Sequence, residues 1–93
     1  MTAEEAFFHA LNVIKGRWPE GEEVISQDYR YSYHYAFQVK GRFPEGEEAI
    51  SKDAEYSYYY ARYVLNDKLP DWWHNKMILE GGECCREYLE FIG

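Results

Sequence analysis

Apolar side chains near the start of the chain, Phe7, Ala10, Leu11 and Ile14, recur three and four residues apart. At ~100° per residue that spacing gathers them on one side of a helix. Thr2-Ala3-Glu4-Glu5 precedes the run in the pattern of a capping box, in which the Thr2 hydroxyl and Glu5 carboxylate satisfy free first-turn amides. The pattern predicts a helix to about Lys15, with Gly16 as the left-handed residue that ends it. The pattern then changes to Pro19-Glu20-Gly21-Glu22-Glu23, and later to Pro44-Glu45-Gly46-Glu47-Glu48. Each predicts a short helix, ending near Ser26 and Ser51, with proline in the first turn, where its missing amide costs nothing. The acids at its start are favoured by the helix dipole. Asp28 and Asp53 are placed to cap longer helices over about 29–40 and 54–66.

The tyrosines of the first long segment, Tyr29, Tyr31, Tyr33 and Tyr35, alternate as a strand would. In the second segment Tyr58, Tyr59, Tyr60 and Ala61 are contiguous, so alternation is not the shared property. On a helix, Ser32, Tyr35, Ala36 and Val39 share one face flanked by Tyr31 and Tyr33, and the small Ser32 and Ala36 admit a neighbouring helix. Arg30, His34 and Phe37 point the other way. Their counterparts Glu55, Tyr59 and Arg62 differ in kind, as outward positions of a repeat do.

The two segments are copies. Lys15 to Gln38 aligned with Lys40 to Tyr63 gives 16 identities in 24 positions. Pro19, Pro44 and Pro70 extend the period, and His9 to Pro19 matches Tyr60 to Pro70 in length and apolar pattern. The expected organisation is a single helical-repeat domain, 1–93: a half repeat 1–16, repeats 17–41 and 42–67, and a capping unit 68–93 that has lost the Gly-Glu-Glu signature. The expected fold is all-α, a short α-solenoid-like stack of antiparallel helix pairs from 25-residue repeats with an atypical C-terminal cap. Gly81-Gly82 reads as a break between the last two helices.

Composition narrows the function. The chain has 93 residues, 46% hydrophobic and 19% aromatic, with a formal net charge of −7, which argues for a folded domain. No stretch approaches the ~18 apolar residues of a membrane span, and the start lacks signal-peptide character, so the expectation is a cytoplasmic protein without membrane contact. Cys84 and Cys85 are adjacent, a poor arrangement for a fold-stapling disulfide, and are expected to be reduced thiols. His9, His34 and His74 lack ligand spacing, and the glycines form no phosphate-cradling loop. No catalytic residue, metal or cofactor is expected. The acidic balance opposes direct nucleic-acid binding.

The strings GRWPEGEEVI, GRFPEGEEAI, YSYHYA and YSYYYARYVL resemble the GRFPEGEE/YYYARxVL repeats of uncharacterised phage and bacterial proteins. The resemblance covers about residues 8–66 and implies a helical stack and a phage or mobile-element origin, without a shared activity. Two function classes compete. One is a protein-interaction module, an inhibitor of a host defence or housekeeping complex, with anchors among Arg30, His34, Phe37, Tyr59 and Arg62. The other is an acidic nucleic-acid mimic using Glu20, Glu22, Glu23, Glu45, Glu47 and Glu48. A purely structural repeat is the third reading. A homodimer is also expected, joined through Phe7, Phe8, Trp72 and Trp73 at the two ends of the array.

Overall fold

A computed structural model describes residues 1–93 apart from the side chain of Lys40. Among the described residues there are seven helices and no strand. Helix α1 (3–14) starts at the expected capping box: Glu5 N–H donates to the Thr2 hydroxyl at 3.1 Å and Thr2 N–H to Glu5 Oε1 at 2.9 Å. The short helices α2 (Pro19–Ile25) and α4 (Pro44–Ile50) carry proline at their first position. Asp28 and Asp53 cap α3 (29–40) and α5 (54–65) through their side-chain oxygens. Helices α6 (Asp71–Glu80) and α7 (Glu83–Ile92) are separated at Gly81-Gly82.

Each of the first three long helices widens into a π-helix at or one residue before the repeated alanine: Ala10–Ile14, Ala36–Lys40 and Tyr60–Leu65. The closing amides of Lys15, Gly41 and Asn66 bond back five residues to Ala10, Ala36 and Ala61. All three have positive φ: 60°, 87° and 55°. Gly16 is therefore not the left-handed residue of the first helix. The wider last turn brings the reversal one residue forward, to Lys15. The stretch from Ala36 to Pro44 is one residue shorter than those from Ala10 to Pro19 and from Ala61 to Pro70. Gly41 makes the shorter turn alone, at φ 87° and ψ −145°, a region open essentially to glycine only.

The long helices pack in succession, α1 on α3, α3 on α5 and α5 on α7, and each of α2, α4 and α6 packs on the long helix before it. The molecule measures 39 × 19 × 19 Å. Ala36 and Ala61 are buried beside Tyr35 and Tyr60, as the periodicity predicts. At the ends, Phe7 and Trp73 are also buried, at 3% and 0% exposure, while Phe8 and Trp72 remain 44% and 51% exposed. The expected dimer surface thus loses two of its four residues to the core. Phe7 packs against Tyr31 and His34, and the Trp73 indole N–H donates to the buried Ser57 hydroxyl at 2.9 Å.

A polar latch recurs where each short helix begins. A residue before proline is held extended, and Trp18 and Phe43 have φ of −132° and −126°. Their amides lie outside any helix and need another acceptor. The Tyr35 hydroxyl accepts from Trp18 N–H at 2.9 Å, and that of Tyr60 from Phe43 N–H at 2.8 Å. Each hydroxyl donates onward, Tyr35 to Glu22 and Tyr60 to Glu47, both at 2.7 Å. Arg17 and Arg42 close the latches at 3.4 and 2.9 Å from the same carboxylates. Glu22 and Glu47 are consequently 7% and 5% exposed. The acidic sets read from the sequence are corrected here: only Glu20, Glu23, Glu45 and Glu48 face solvent.

The C-terminal unit keeps the latch with other residues. Tyr88 on α7 accepts from Leu69 N–H at 2.9 Å, and His74 Nδ1 stands 2.6 Å from its hydroxyl, where the other units have glutamate. Cys85 takes the place of Ser32 and Ser57: those hydroxyls donate to the carbonyls of Ile25 and Ile50, seven residues earlier, and the Cys85 thiol lies 3.9 Å from that of Ile78. Both cysteines are free and half-buried.

Candidate interaction face

Helices α1, α3 and α5 place one aromatic ring each at equivalent positions, Phe8, His34 and Tyr59, and a second row is set by Tyr31 and Tyr56. Because these helices lie side by side, the rows meet. Tyr31 is 6.5 Å from Phe8 and 5.7 Å from Phe7, ring centroid to centroid. His34 lies 6.1 Å from Tyr56, which is 5.8 Å from Tyr59. Tyr59 continues to Tyr63 at 6.1 Å, and Tyr63 meets Phe37 edge-on at 6.3 Å. Phe37 stacks on Tyr33 at 5.9 Å, and Tyr33 returns to Tyr56 at 5.4 Å. Most pairs are tilted or edge-to-face, the arrangement the ring quadrupole favours.

Two guanidiniums rest on this surface. Arg30 sits 5.7 Å over Tyr29 and 5.9 Å over Tyr31, within 3.7 Å of Asp28. Arg62 sits 5.6 Å over Tyr63 and donates to the Tyr58 hydroxyl. Stacked in this way, each guanidinium is drawn to the ring faces by cation–π attraction. Between α1 and α3 the face sinks into an open groove of about 310 Å³ whose walls include Phe8, Leu11, Arg30, Tyr31, His34 and Tyr56.

The five residues singled out by the repeat's variable positions, Arg30, His34, Phe37, Tyr59 and Arg62, all belong to this connected surface. Arg30, Phe37 and Arg62 are exposed, and His34 and Tyr59 are half-buried among their neighbours. Sequence reasoning missed Phe8, Tyr29, Tyr31, Tyr56 and Tyr63 as members of it. A signal was present: Tyr56, Tyr59 and Tyr63 recur at three and four residues, which marks a helix stripe distinct from the one buried through Tyr60 and Ala61.

Burial lowers the His34 pKa and raises that of Tyr33 to about 12. Tyr31 is raised because its hydroxyl donates to Glu4 at 2.9 Å, and Tyr59 chiefly because the Glu55 carboxylate is near. At neutral pH the face therefore presents a neutral imidazole and neutral phenols, a surface of apolar rings edged by hydroxyl donors.

The exposed acids lie elsewhere. Glu20 and Glu23 belong to α2, and Glu45 and Glu48 to α4, where Glu45 and Glu48 share a shallow hollow with Lys52. Among the described residues no group of three or more His, Cys, Asp or Glu side chains is placed to hold a metal ion, and no helix is long and apolar enough to cross a membrane. No protein-family model matches the chain, and comparison with curated proteins and with solved structures found no match.

Proposed function

We propose that the chain is a non-enzymatic protein-interaction module, a short solenoid-like stack of 25-residue repeats that presents the aromatic face of α1, α3 and α5 to a protein partner. The observation that carries the reading is the continuity of that face. Phe8, Phe37 and Tyr63 are 44%, 54% and 51% exposed, yet they join half-buried rings into one network with Arg30 and Arg62 across it. Aromatic and arginine side chains held rigid on a surface are the residue types that dominate binding energy at protein interfaces. A fold with only structural work to do has no need to leave such a surface in water. In the phage setting that the repeat strings suggest, the partner is a host complex and binding is inhibitory.

Nucleic-acid mimicry is the weaker reading. It calls for ordered carboxylates facing the partner, and Glu22 and Glu47 are engaged by Tyr35 and Tyr60. Affinity capture from bacterial lysate with four proteins separates the readings: wild type, Phe37→Ala, Tyr59→Ala, and a variant with Glu20, Glu23, Glu45 and Glu48 all changed to Gln. The interaction-face reading expects the partner to be lost or weakened by ~1–3 kcal/mol with either aromatic variant and kept by the glutamine variant at low and high salt. Loss with the glutamine variant alone, sharpest at low salt and shrinking as salt screens the charges, would put mimicry in its place.

A further inference from the structure

The short helix of the C-terminal unit is apolar where its counterparts are polar. Counted from the helix start, Trp72 of α6 stands where α2 and α4 have Glu20 and Glu45, Ile78 where they lead to Ser26 and Ser51, and Leu79 where they lead to Gln27 and Lys52. Trp72, Ile78 and Leu79 are 51%, 41% and 83% exposed. Trp72 and Leu79, seven residues apart, share one stripe of the helix, turned away from the buried Trp73 and Met77. A helix with apolar side chains on both sides is built to be covered on both.

Beside this ridge α7 presents an uncovered apolar floor. The short helices α2, α4 and α6 each lie on the long helix before them, and the repeated alanines of those long helices, Ala10, Ala36 and Ala61, are at 0–1% exposure. Ala36 and Ala61 follow Ser32 and Ser57 by four residues, and four residues past Cys85 stands Leu89, 42% exposed. Half-buried Cys85 and Ile92 share its side of α7, and the Cys85 thiol borders the Ile78 carbonyl of α6. A leucine in place of the alanine holds an arriving helix at the full ~8–10 Å between axes, so it suits a helix with large outward side chains rather than another Pro-Glu-Gly start. Among the short helices only α6 has such side chains, and it adjoins the floor in the same unit. Ridge and floor side by side on one molecule are what a two-fold interface requires, each copy giving its ridge to the floor of the other. Extension of the stack is opposed instead. Phe7 and Leu11 of α1, like Tyr33 and Phe37 of α3, face the next long helix, whereas the equivalent positions on α7 are the exposed Arg86 and Glu90. A polar outer side closes a repeat array.

We propose that a second copy of this chain covers the C-terminal unit in a two-fold dimer, with Trp72 and Leu79 of each copy packed on Leu89 and Ile92 of the other. The side of α5 that receives α6, marked by the Trp73–Ser57 hydrogen bond, lies ~200° around the helix from Tyr59. Dimerisation through the short-helix side therefore leaves both aromatic faces outward, pointing away from each other. Where that face holds a partner the dimer holds it twice, a gain in avidity without any new contact.

Sedimentation equilibrium of the intact protein, from about 1 μM to a few hundred micromolar, reads the association directly. The expected result is a monomer–dimer equilibrium with no larger species. Leu79→Lys, at an 83% exposed position, and Leu89→Ala, which restores the residue of the other units, should each weaken the dimer at least about tenfold. Circular dichroism and the Tm of dilute protein should stay unchanged in both. Phe8→Ser and Phe37→Ser, on the opposite side, should leave the equilibrium unaltered. A monomer at the highest concentration overturns the proposal, as does a dimer indifferent to both Leu79→Lys and Leu89→Ala. A dimer dissolved by Phe8→Ser or Phe37→Ser would place the contact on the aromatic face and overturn it too. Species that grow beyond the dimer would show open stacking in place of two-fold closure. None of these failures removes the aromatic face as a binding surface, which stands or falls on capture of the lysate partner by the Phe37 and Tyr59 variants.

Discussion

Removing one oxygen atom, by Tyr60→Phe, tests the account of what holds the repeats together. The Tyr60 hydroxyl is buried, accepts from Phe43 N–H at 2.8 Å and donates to Glu47 at 2.7 Å. Without it the Glu47 carboxylate keeps Arg42 at 2.9 Å but loses its second partner while 5% exposed. A hydrogen bond to a buried charge is worth ~1.5–3 kcal/mol and a neutral one ~0.5–1.5 kcal/mol, so the substitution should cost roughly 2–4 kcal/mol. In a domain of this size, 1 kcal/mol moves Tm by ~4–8 °C, which puts the drop at about 8–30 °C. Tyr35→Phe should cost less, because Trp18 is only half-buried and water can reach its amide, and because Arg17 holds Glu22 more loosely, at 3.4 Å. Urea unfolding followed by circular dichroism at matched pH measures both. In the double variant Tyr60→Phe with Glu47→Leu, the buried carboxylate goes with its partner, so it should recover part of the loss. A Tyr60→Phe protein within about 2 °C of wild type, or one less damaged than Tyr35→Phe, would refute the latch as a determinant of stability.

Ala36→Leu or Ala61→Leu should overpack a site at 0–1% exposure and cost ~1–3 kcal/mol in the same assay. Gly46→Ala should be more damaging than Gly21→Ala, since the new Cβ would meet Ser32 at 2.7 Å across a packed contact, whereas Gly21 is confronted by the ring of Trp18, which is half-buried and can turn aside. Tyr33 and Tyr35 are pushed up to about 12 by burial, and Tyr60 and Tyr88 are raised by the same cause. Their stabilisation is complete below the unfolded value near 10 and is lost as pH rises from there through the folded values, so ellipticity and phenolate absorbance should change together between about pH 10 and 12. The His34 pKa is lowered by burial, and its contribution is present above the unfolded value of ~6.5 and disappears as pH falls through the folded one. His34→Gln should flatten the stability profile below about pH 6, and an unchanged slope would show that the ring is solvated.

Features set by neighbours in the chain were legible in the sequence. The Thr2–Glu5 box, the Asp28 and Asp53 caps, the prolines opening α2 and α4 and the break at Gly81-Gly82 depend on residues within four positions of one another, and they appear where expected. Features that depend on distant partners were not. Glu22 looks like Glu20 and Glu23 in a helix start, and only a tyrosine 13 residues on, across a helix packing, decides that it is buried. Phe7 and Phe8 are equally apolar neighbours, and the arrival of Tyr31 and His34 over Phe7 separates a 3% exposed ring from a 44% exposed one. The five variable positions did lead to the aromatic face, because variability between copies marks outward positions. Tyr31, Tyr56 and Phe8 carry no such mark: the two tyrosines repeat, as flanks of the buried stripe do, and Phe8 lies in the half repeat.

The C-terminal unit shows why the period outlasts its own sequence signature. Once a helix opens on or just after proline, the residue before that proline is forced extended, and its amide must find an acceptor outside the helix. That requirement falls on Trp18, Phe43 and Leu69 alike, and in all three units a tyrosine from the following long helix meets it, at 2.9, 2.8 and 2.9 Å. What the phenol does with its own proton is less constrained. Glutamate, braced by arginine, takes it in the first two units, and in the third His74 Nδ1 stands 2.6 Å from the hydroxyl instead. The glycine that lets α4 approach Ser32 is likewise free to vary: Trp73, third residue of α6 as Gly46 is of α4, reaches Ser57 with its indole N–H instead. The Gly-Glu-Glu string is thus one of several ways to serve an amide that proline has displaced, and Tyr88 persists where the string does not because the displaced amide persists.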